Sequence, residues 1–274
     1  MQQVFKINSI KQKNITTFVI MNLLKIPFLL IWRLWFYVLI LITVLLMSPF
    51  LFVLTIKESY YPIFWKLIRG WAHVLVYGMG FRIEKQIDQF LDRKKSYMFC
   101  PNHASLMDPF VLILLSKNPI VFVGKKELVN IPIFGFFYKR AVIMVDRSSP
   151  ESRKRVFAMA KKRLQGGTSI GIFPEGLVPT EDVILAPFKN GAFSLAIQHQ
   201  IPIVPQTYYD CKRLFSWDFL KGGIGTFRIR QHQFIDTKGL KFEDTEIVKE
   251  KIFQIIYNEL VSDSIYMKDT NRTK

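Results

Sequence analysis

The chain has 274 residues, enough for one large domain or two small ones, and half of them are hydrophobic, with a mean hydropathy of +0.20. Its formal net charge of +17 would suit nucleic acid, an anionic membrane surface or an acidic partner. No nucleic-acid motif is present and the aromatic residues concentrate in the apolar N-terminal part, so anionic lipid is favoured over nucleic acid. Cys100 and Cys211 have no CxxC spacing, which argues against a disulfide scaffold or a zinc site.

The first predicted element is an apolar segment near the N-terminus. Residues 34–56 are uncharged and lie between Arg33 and Lys57. As one helix they would extend about 34 Å, enough to cross the hydrocarbon core of a bilayer. The segment begins too late and runs too long for a signal peptide, which indicates a retained membrane anchor. Pro49 leaves open whether the helix spans the membrane or bends within it.

A second apolar stretch follows at residues 60–80, with few charges and several Trp and Tyr residues. These features suit a helix lying in the membrane interface, and a core helix of the following domain is the alternative. Charged residues begin directly after this stretch. We therefore expect an N-terminal membrane anchor over residues 1–80, formed by a hydrophobic helix pair, and a second domain over residues 81–274.

The second domain alternates between apolar runs of strand length and helical stretches. Residues 150–165 predict a helix, with Pro150 in its first turn and two glycines after its end. Residues 226–236 alternate in polarity and predict an edge strand, and residues 244–261 predict a closing helix. Other strands are expected at 97–101, 120–123, 141–145, 168–173 and 201–205. This order predicts an α/β fold with a mixed, largely parallel sheet flanked by helices.

The candidate catalytic residues are His103 and Asp108, in the sequence NHASLMD after the first of these strands. Ligands of open α/β sheets bind at the carboxyl ends of strands, where this segment is expected. Asp108 could simply be the N-cap of a helix whose first residue is Pro109. Alternatively, His103 is a general base whose other ring nitrogen is held by Asp108, acting on a hydroxyl that the substrate supplies. Cys100 could carry an acyl group, but it is expected inside the strand.

Three further patterns follow other strands and are ambiguous when each is taken alone. FPEG at 173–176 could be a turn with a solvated glutamate. Asp146 and Arg147 could form a surface ion pair. Lys125 and its neighbouring lysine could lie on a solvated helix.

Taken in order, these segments resemble the conserved blocks of the glycerolipid acyltransferases, and are most similar to the 1-acyl-sn-glycerol-3-phosphate acyltransferases. The resemblance covers about residues 81–210. It implies that His103 and Asp108 are the catalytic pair, and that IPIVP at 201–205 is linked to the acyl donor. By the same resemblance the acceptor is bound by four residues: Lys125, Arg147, Glu175 and Gly176.

The sequence departs from the family after FPEG. The family usually continues with Thr-Arg, whereas this chain has Leu177 and Val178. The missing guanidinium could have gripped a phosphate with two hydrogen bonds. Two alternatives follow: either Arg147, Lys125 and Lys189 hold the phosphate, or the acceptor is not a plain lysophosphatidate.

The resemblance implies transfer of a fatty acyl group from acyl-CoA or acyl carrier protein to 1-acyl-sn-glycerol-3-phosphate, giving phosphatidic acid for phospholipid synthesis. No metal or redox cofactor is implied, and the thioester is a co-substrate. The expected partners are membrane lipids, the lysophospholipid and the acyl donor, with no nucleic acid, at the cytoplasmic face of the inner (plasma) membrane. One alternative is an acyltransferase for another lysolipid, such as a lyso-aminolipid. Another is a membrane-anchored binding protein without turnover, against which the intact pair argues.

Overall fold

The computed structural model describes residues 2–131, 134–145 and 150–271. Its helices are Gln2–Leu54 (α1), Tyr61–Gly78 (α2), Asp108–Leu115 (α3), Phe134–Ala141 (α4), Pro150–Gln165 (α5), Gly191–Gln198 (α6), Cys211–Leu214 (α7), Thr245–Ser262 (α8) and Ser264–Asn271 (α9). Its strands are Arg82–Ile87 (β1), Met98–Pro101 (β2), Ile120–Lys125 (β3), Ile143–Val145 (β4), Ser169–Gly171 (β5), Ile203–Tyr208 (β6) and Thr226–Gln231 (β7).

Within the described residues the strands form one seven-stranded sheet in the order β1-β7-β6-β2-β5-β3-β4. The neighbours β6, β2, β5, β3 and β4 run parallel, whereas β6 pairs with β7 in the antiparallel direction. This confirms the predicted α/β fold with a largely parallel sheet. It also brings the carboxyl ends of five strands to one edge.

The prediction that residues 226–236 form an edge strand is wrong. β7 lies between β6 and β1, and β1 pairs with it in parallel from Arg82 opposite Thr226 to Ile87 opposite Gln231. β1 escapes prediction because its residues, RIEKQI, are mostly polar and exposed. An edge strand pairs on one side only and faces solvent on the other, so it tolerates such a composition.

The N-terminal helix α1 is continuous to Leu54 and contains both Pro27 and Pro49. Pro49 removes one backbone hydrogen bond but does not end the helix. Among the described residues, this is the one helix long and apolar enough, over Lys25–Leu54, to cross a membrane by length and composition.

Helix α2 packs back against α1 and against α3. The indole of Trp71 on α2 donates to the Thr43 hydroxyl on α1 at 2.8 Å, and the indole of Trp32 donates to the Met79 carbonyl at 3.0 Å. One face of α2 is buried, including Trp65, while other apolar side chains such as Ile63 are exposed. The helix therefore has one core face, as the core-helix alternative predicted, and one exposed apolar face, while its place in a membrane interface stays a prediction.

Two apolar cores lie on opposite sides of the sheet. Successive side chains of a strand point to opposite faces, and β2 shows this directly. Phe99 joins the core formed with α1, α2 and α3, whereas Met98 and Cys100 join the core formed with α5, α6 and α8. Because β2 is central and fully buried, the segment that leaves its carboxyl end starts from a rigid position.

Candidate active site

The segment after β2 carries His103 and is fixed to the neighbouring strand by Asn102. The Asn102 amide donates to the Tyr208 carbonyl at 3.1 Å, and its oxygen accepts the Tyr208 N–H at 2.7 Å. Both residues are buried. This pair of bonds reproduces a backbone pairing, so the chain leaves β2 in a defined direction.

His103 and Asp108 form the predicted pair. His103 Nδ1 lies 2.8 Å from Asp108 Oδ2, and the imidazole is 21% exposed while Asp108 is fully buried. A carboxylate only accepts hydrogen bonds, so Nδ1 carries the proton and Nε2 is the nitrogen with a free lone pair. The same Oδ2 accepts the backbone N–H groups of Ala104 at 2.5 Å and Ser105 at 2.7 Å. These bonds hold the carboxylate in place.

Asp108 is also the first residue of α3, so the helix begins one residue earlier than the N-cap interpretation of Asp108 predicted. The helix cap at Met107 makes no side-chain hydrogen bond. The Asp108 carboxylate instead turns back toward the loop and His103. Asp108 therefore both begins helix α3 and holds the imidazole of His103.

The ring of His103 stacks on Phe173 with centroids 4.2 Å apart and an interplanar angle of 22°. Phe173 begins the FPEG turn that follows β5, and Phe122 of β3 lies parallel to it at 6.5 Å. The aromatic stack fixes the plane of the imidazole, while Asp108 fixes its rotation. The geometry thus holds Nε2 in one direction.

Glu175 of the same turn is buried, with 1% of its surface exposed. One oxygen accepts the backbone N–H of His103 at 2.6 Å, and the other accepts the backbone N–H of Ala186 at 2.9 Å. Burial raises the pKa of Glu175 to about 8, and the two backbone hydrogen bonds oppose that shift. Both oxygens thus contact the backbone, and a role in binding the acceptor stays a prediction.

Gly176 completes the turn with φ of +74°, a conformation that favours glycine. Its N–H donates to the Phe173 carbonyl at 3.0 Å. Leu177 follows directly and is 46% exposed. This position therefore presents an apolar side chain to solvent.

Two of the predicted acceptor-binding residues are not fully described by the structure, which gives only the backbone of Lys125 and nothing of Arg147. Lys125 is the last residue of β3 and pairs with Val145 at the end of β4, but its side chain lies outside the described part of the structure. Arg147 lies outside the described residues. Since β3 and β4 are parallel to β2, both strands end at the same edge as His103.

Lys212 is a further residue near the site that the sequence did not single out. It is buried, and its Nζ donates to the carbonyls of Thr180 and Val183, at 2.7 Å each. Burial lowers its pKa, while nearby carboxylates, including Glu175, oppose that change. It fixes the loop after the FPEG turn.

The two cysteines are buried. Cys100 lies in β2, and burial raises the pKa of its thiol, which makes an acyl-carrying role unsuitable. Burial and the adjacent Asp108 charge raise the pKa of Cys211 as well. Within residues 2–131, 134–145 and 150–271, no group of three His, Cys, Asp or Glu residues is placed to hold a metal ion.

The sequence profile of the acyltransferase family matches residues 82–209. The chain is 28% identical over 197 residues to a 1-acyl-sn-glycerol-3-phosphate acyltransferase of Borreliella burgdorferi, covering 71% of this chain and 76% of that protein. It is 28% identical over 180 residues to the human 1-acyl-sn-glycerol-3-phosphate acyltransferase beta, covering 65% and 64%. With a Cocos nucifera protein of the same name it shares 38% identity over 140 residues, covering 49% and 43%.

The chain thus spans less than two thirds of the length of the human and Cocos nucifera relatives. Among solved structures, the crystal structure of the 1-acyl-sn-glycerophosphate acyltransferase PlsC from Thermotoga maritima superimposes with a TM-score of 0.71. That match covers 88% of this chain and 98% of that one at 17% identity, and it shows the shared fold. Residues 82–209 therefore match the acyltransferase family, and the chain is similar to glycerolipid acyltransferases.

Proposed function

We propose that this enzyme moves a fatty acyl group from an acyl thioester to the free hydroxyl of 1-acyl-sn-glycerol-3-phosphate, giving phosphatidic acid. The observation that carries the proposal is the His103–Asp108 pair, held at 2.8 Å at the carboxyl edge of the sheet. The names of the relatives support the choice of acceptor.

In the proposed mechanism, His103 Nε2 removes the proton from the acceptor hydroxyl as that oxygen attacks the thioester carbonyl. Asp108 stabilises the imidazolium that forms. A carbon–oxygen bond forms, the carbon–sulfur bond breaks, and the proton on Nε2 passes to the leaving thiolate. The acyl group passes directly to the acceptor, consistent with the burial of both cysteines.

Glu175 and Asn102 are assigned positioning roles. Glu175 holds the backbone N–H of His103, and Asn102 holds the preceding residue against β6. General-base catalysis requires the base within hydrogen-bond reach of the proton it removes, so these contacts fix where Nε2 lies. Neither residue needs to touch the substrate for this role.

The acceptor's phosphate requires cations at the same edge. We assign phosphate binding to Arg147, which follows β4 in the sequence, and to Lys125, the last residue of β3. Gly176 would allow close approach of the backbone. Arginine binds phosphate through two parallel hydrogen bonds, which a lysine cannot reproduce. Lys189 is a further candidate: it is exposed, and its backbone N–H donates to Pro174 of the FPEG turn.

The enzyme is proposed to work at the cytoplasmic face of the inner membrane, with α1 and α2 as its anchor. The exposed apolar face of α1 supports membrane association, and the charge of +17 suits anionic lipid and an acidic carrier protein. The donor is acyl-CoA or acyl carrier protein.

Exposed Leu177 favours a second candidate acceptor, a lysolipid without a terminal phosphate. Purified enzyme in detergent would be assayed with lysophosphatidate and with a panel of lysolipids, including a lyso-aminolipid, using one acyl-CoA. Preference for lysophosphatidate supports the proposal, and preference for another lysolipid overturns the acceptor assignment. The His103→Ala variant is the blank for each acceptor, and turnover equal to that blank with all acceptors overturns the enzymatic proposal itself.

A further inference from the structure

The loop between α7 and β7 presents apolar side chains to the outside. This segment, residues 216–224, is named the 216–224 loop. It contains four exposed apolar residues, with exposed fractions of 46 to 58%: Trp217, Phe219, Leu220 and Ile224. Large apolar side chains clustered at a surface mark an interaction site more often than isolated ones do.

The loop is rigidly built, so the exposure is not that of a frayed segment. Gly223 N–H donates to the Leu214 carbonyl at 3.0 Å, and the Ser216 hydroxyl accepts the Asp218 N–H at 2.9 Å. Gly222 has φ of +115°, and a Cβ atom there would lie 2.5 Å from the Leu214 oxygen. Its backbone therefore holds the apolar side chains outward.

The loop is fastened to the membrane anchor through Arg33 of α1. This buried guanidinium donates to the Asp218 carbonyl at 3.2 Å and to the Lys221 carbonyl at 2.7 Å. It also lies 4.1 Å from the centre of the Phe215 ring. The charged side chain of Arg33 on α1 therefore binds the backbone of this loop.

The apolar surface continues from the loop onto α1. Phe219 stacks on Tyr37 of α1 with centroids 6.3 Å apart and an interplanar angle of 11°. Around Tyr37, the exposed side of α1 is apolar, including Ile31, Leu34 and Leu41. The two elements therefore share one continuous apolar face.

We propose that the 216–224 loop is a second membrane-contacting element, which enters the head-group region beside α1. The occupant is a lipid bilayer because the loop's apolar face continues that of a helix with membrane-spanning length and composition. Tryptophan is favoured at this level of a membrane. Asp218 is compatible with it, since its carboxylate accepts the Leu220 N–H at 3.0 Å and lies 3.9 Å from the Lys221 ammonium.

This inference rests on the proposed membrane association, and labelling the full-length chain separates the two. Single cysteines would be introduced by Leu220→Cys or Ile224→Cys and modified with an environment-sensitive NBD dye. Cys100 and Cys211 are buried and react poorly, so the dye selects the new thiol. Leu41→Cys on α1 tests the anchor. Phe242→Cys, an exposed apolar position just before α8, is the matched control.

Each labelled protein would be reconstituted in phosphatidylglycerol–phosphatidylcholine vesicles with and without lipids carrying a nitroxide near the head group. Blue-shifted emission that the nitroxide quenches at 220 and 224, as at 41, supports the proposal, with water-like emission at 242. Quenching at 41 with water-like emission at 220 and 224 overturns it and leaves membrane association intact. Blue-shifted emission without quenching means that a second copy covers the loop, and overturns it. No quenching at 41 overturns membrane association and this inference together.

Discussion

Glu175 accepts a hydrogen bond from the backbone N–H of His103 with an N–O distance of 2.6 Å, which joins the turn after β5 to the loop after β2. Its second oxygen accepts the N–H of Ala186, so the carboxylate bridges two backbone segments. Asp108 holds the imidazole and Glu175 holds the backbone beneath it. Changes at Glu175 are therefore expected to act through His103.

Glu175→Gln should lower kcat more than it raises the KM for the acceptor. Glutamine has one acceptor oxygen, and its NH₂ group would face one of the two buried N–H donors. An unsatisfied buried donor costs about 1–3 kcal/mol, and relaxation of this clash would move His103. Steady-state kinetics with both substrates would measure the effect. A higher KM for the acceptor with unchanged kcat would instead assign Glu175 to acceptor binding.

The part of the enzyme's stability that depends on Glu175 should fall as pH rises between about 5 and 8. Burial raises the pKa of Glu175 to about 8 from an ordinary value of 4.5. Between these values the folded state holds more protons than the unfolded state, so raising the pH favours unfolding. Melting temperatures of wild type and Glu175→Gln in detergent would be compared across this range. Equal pH dependence in both proteins would contradict the assignment to Glu175.

His103→Ala should lower turnover by about 100-fold or more, the range typical of a lost general base. The imidazole is partly exposed and stacks on Phe173, so the fold should survive its removal. His73→Ala, at an exposed histidine of α2, is the matched control and should keep full activity. Near-wild-type kcat in His103→Ala, with the protein folded by circular dichroism, would exclude the proposed mechanism.

Deletion of residues 1–80 should leave an aggregated protein or one released from membranes. Helices α1 and α2 cover Phe81 and Phe215, which are buried in the same core as Trp32. Trp32 packs edge-on against both rings, at 5.6 and 5.5 Å. Flotation with vesicles and size-exclusion chromatography would compare the deletion with the full chain. A deleted protein that still floats with vesicles would place the main membrane contact outside residues 1–80.

Elements with a strong apolar pattern could be predicted from the sequence. The helix predicted at 150–165 is observed at Pro150–Gln165, and Gly167 follows with φ of +74°. β1 could not be predicted, because a polar edge strand has no apolar run and its position depends on pairing with β7.

Part of the candidate site could also be predicted from a local sequence pattern. His103 and Asp108 are five residues apart in the sequence, a spacing that lets them contact each other where the loop turns into helix α3. The contact of Glu175 with the His103 backbone joins residues 72 positions apart, and that of Lys212 with Thr180 joins residues 32 apart. No local pattern encodes such pairs, since the sheet order brings them together.

The last prediction concerns the apolar pair after the FPEG turn. Leu177 is exposed and Val178 is partly buried, directly after Gly176. If the acceptor is lysophosphatidate, Leu177→Thr combined with Val178→Arg should lower the KM for it, because the new guanidinium can bind phosphate through two hydrogen bonds. The donor KM should not change, and Leu177→Thr alone, which adds no charge, is the control.

KM values with lysophosphatidate and with a lyso-aminolipid would be compared. Lower activity in the double variant, together with wild-type preference for the lyso-aminolipid, would mean that the apolar pair admits a different head group. A melting temperature checks that the added arginine, if left without a partner, has not destabilised the fold.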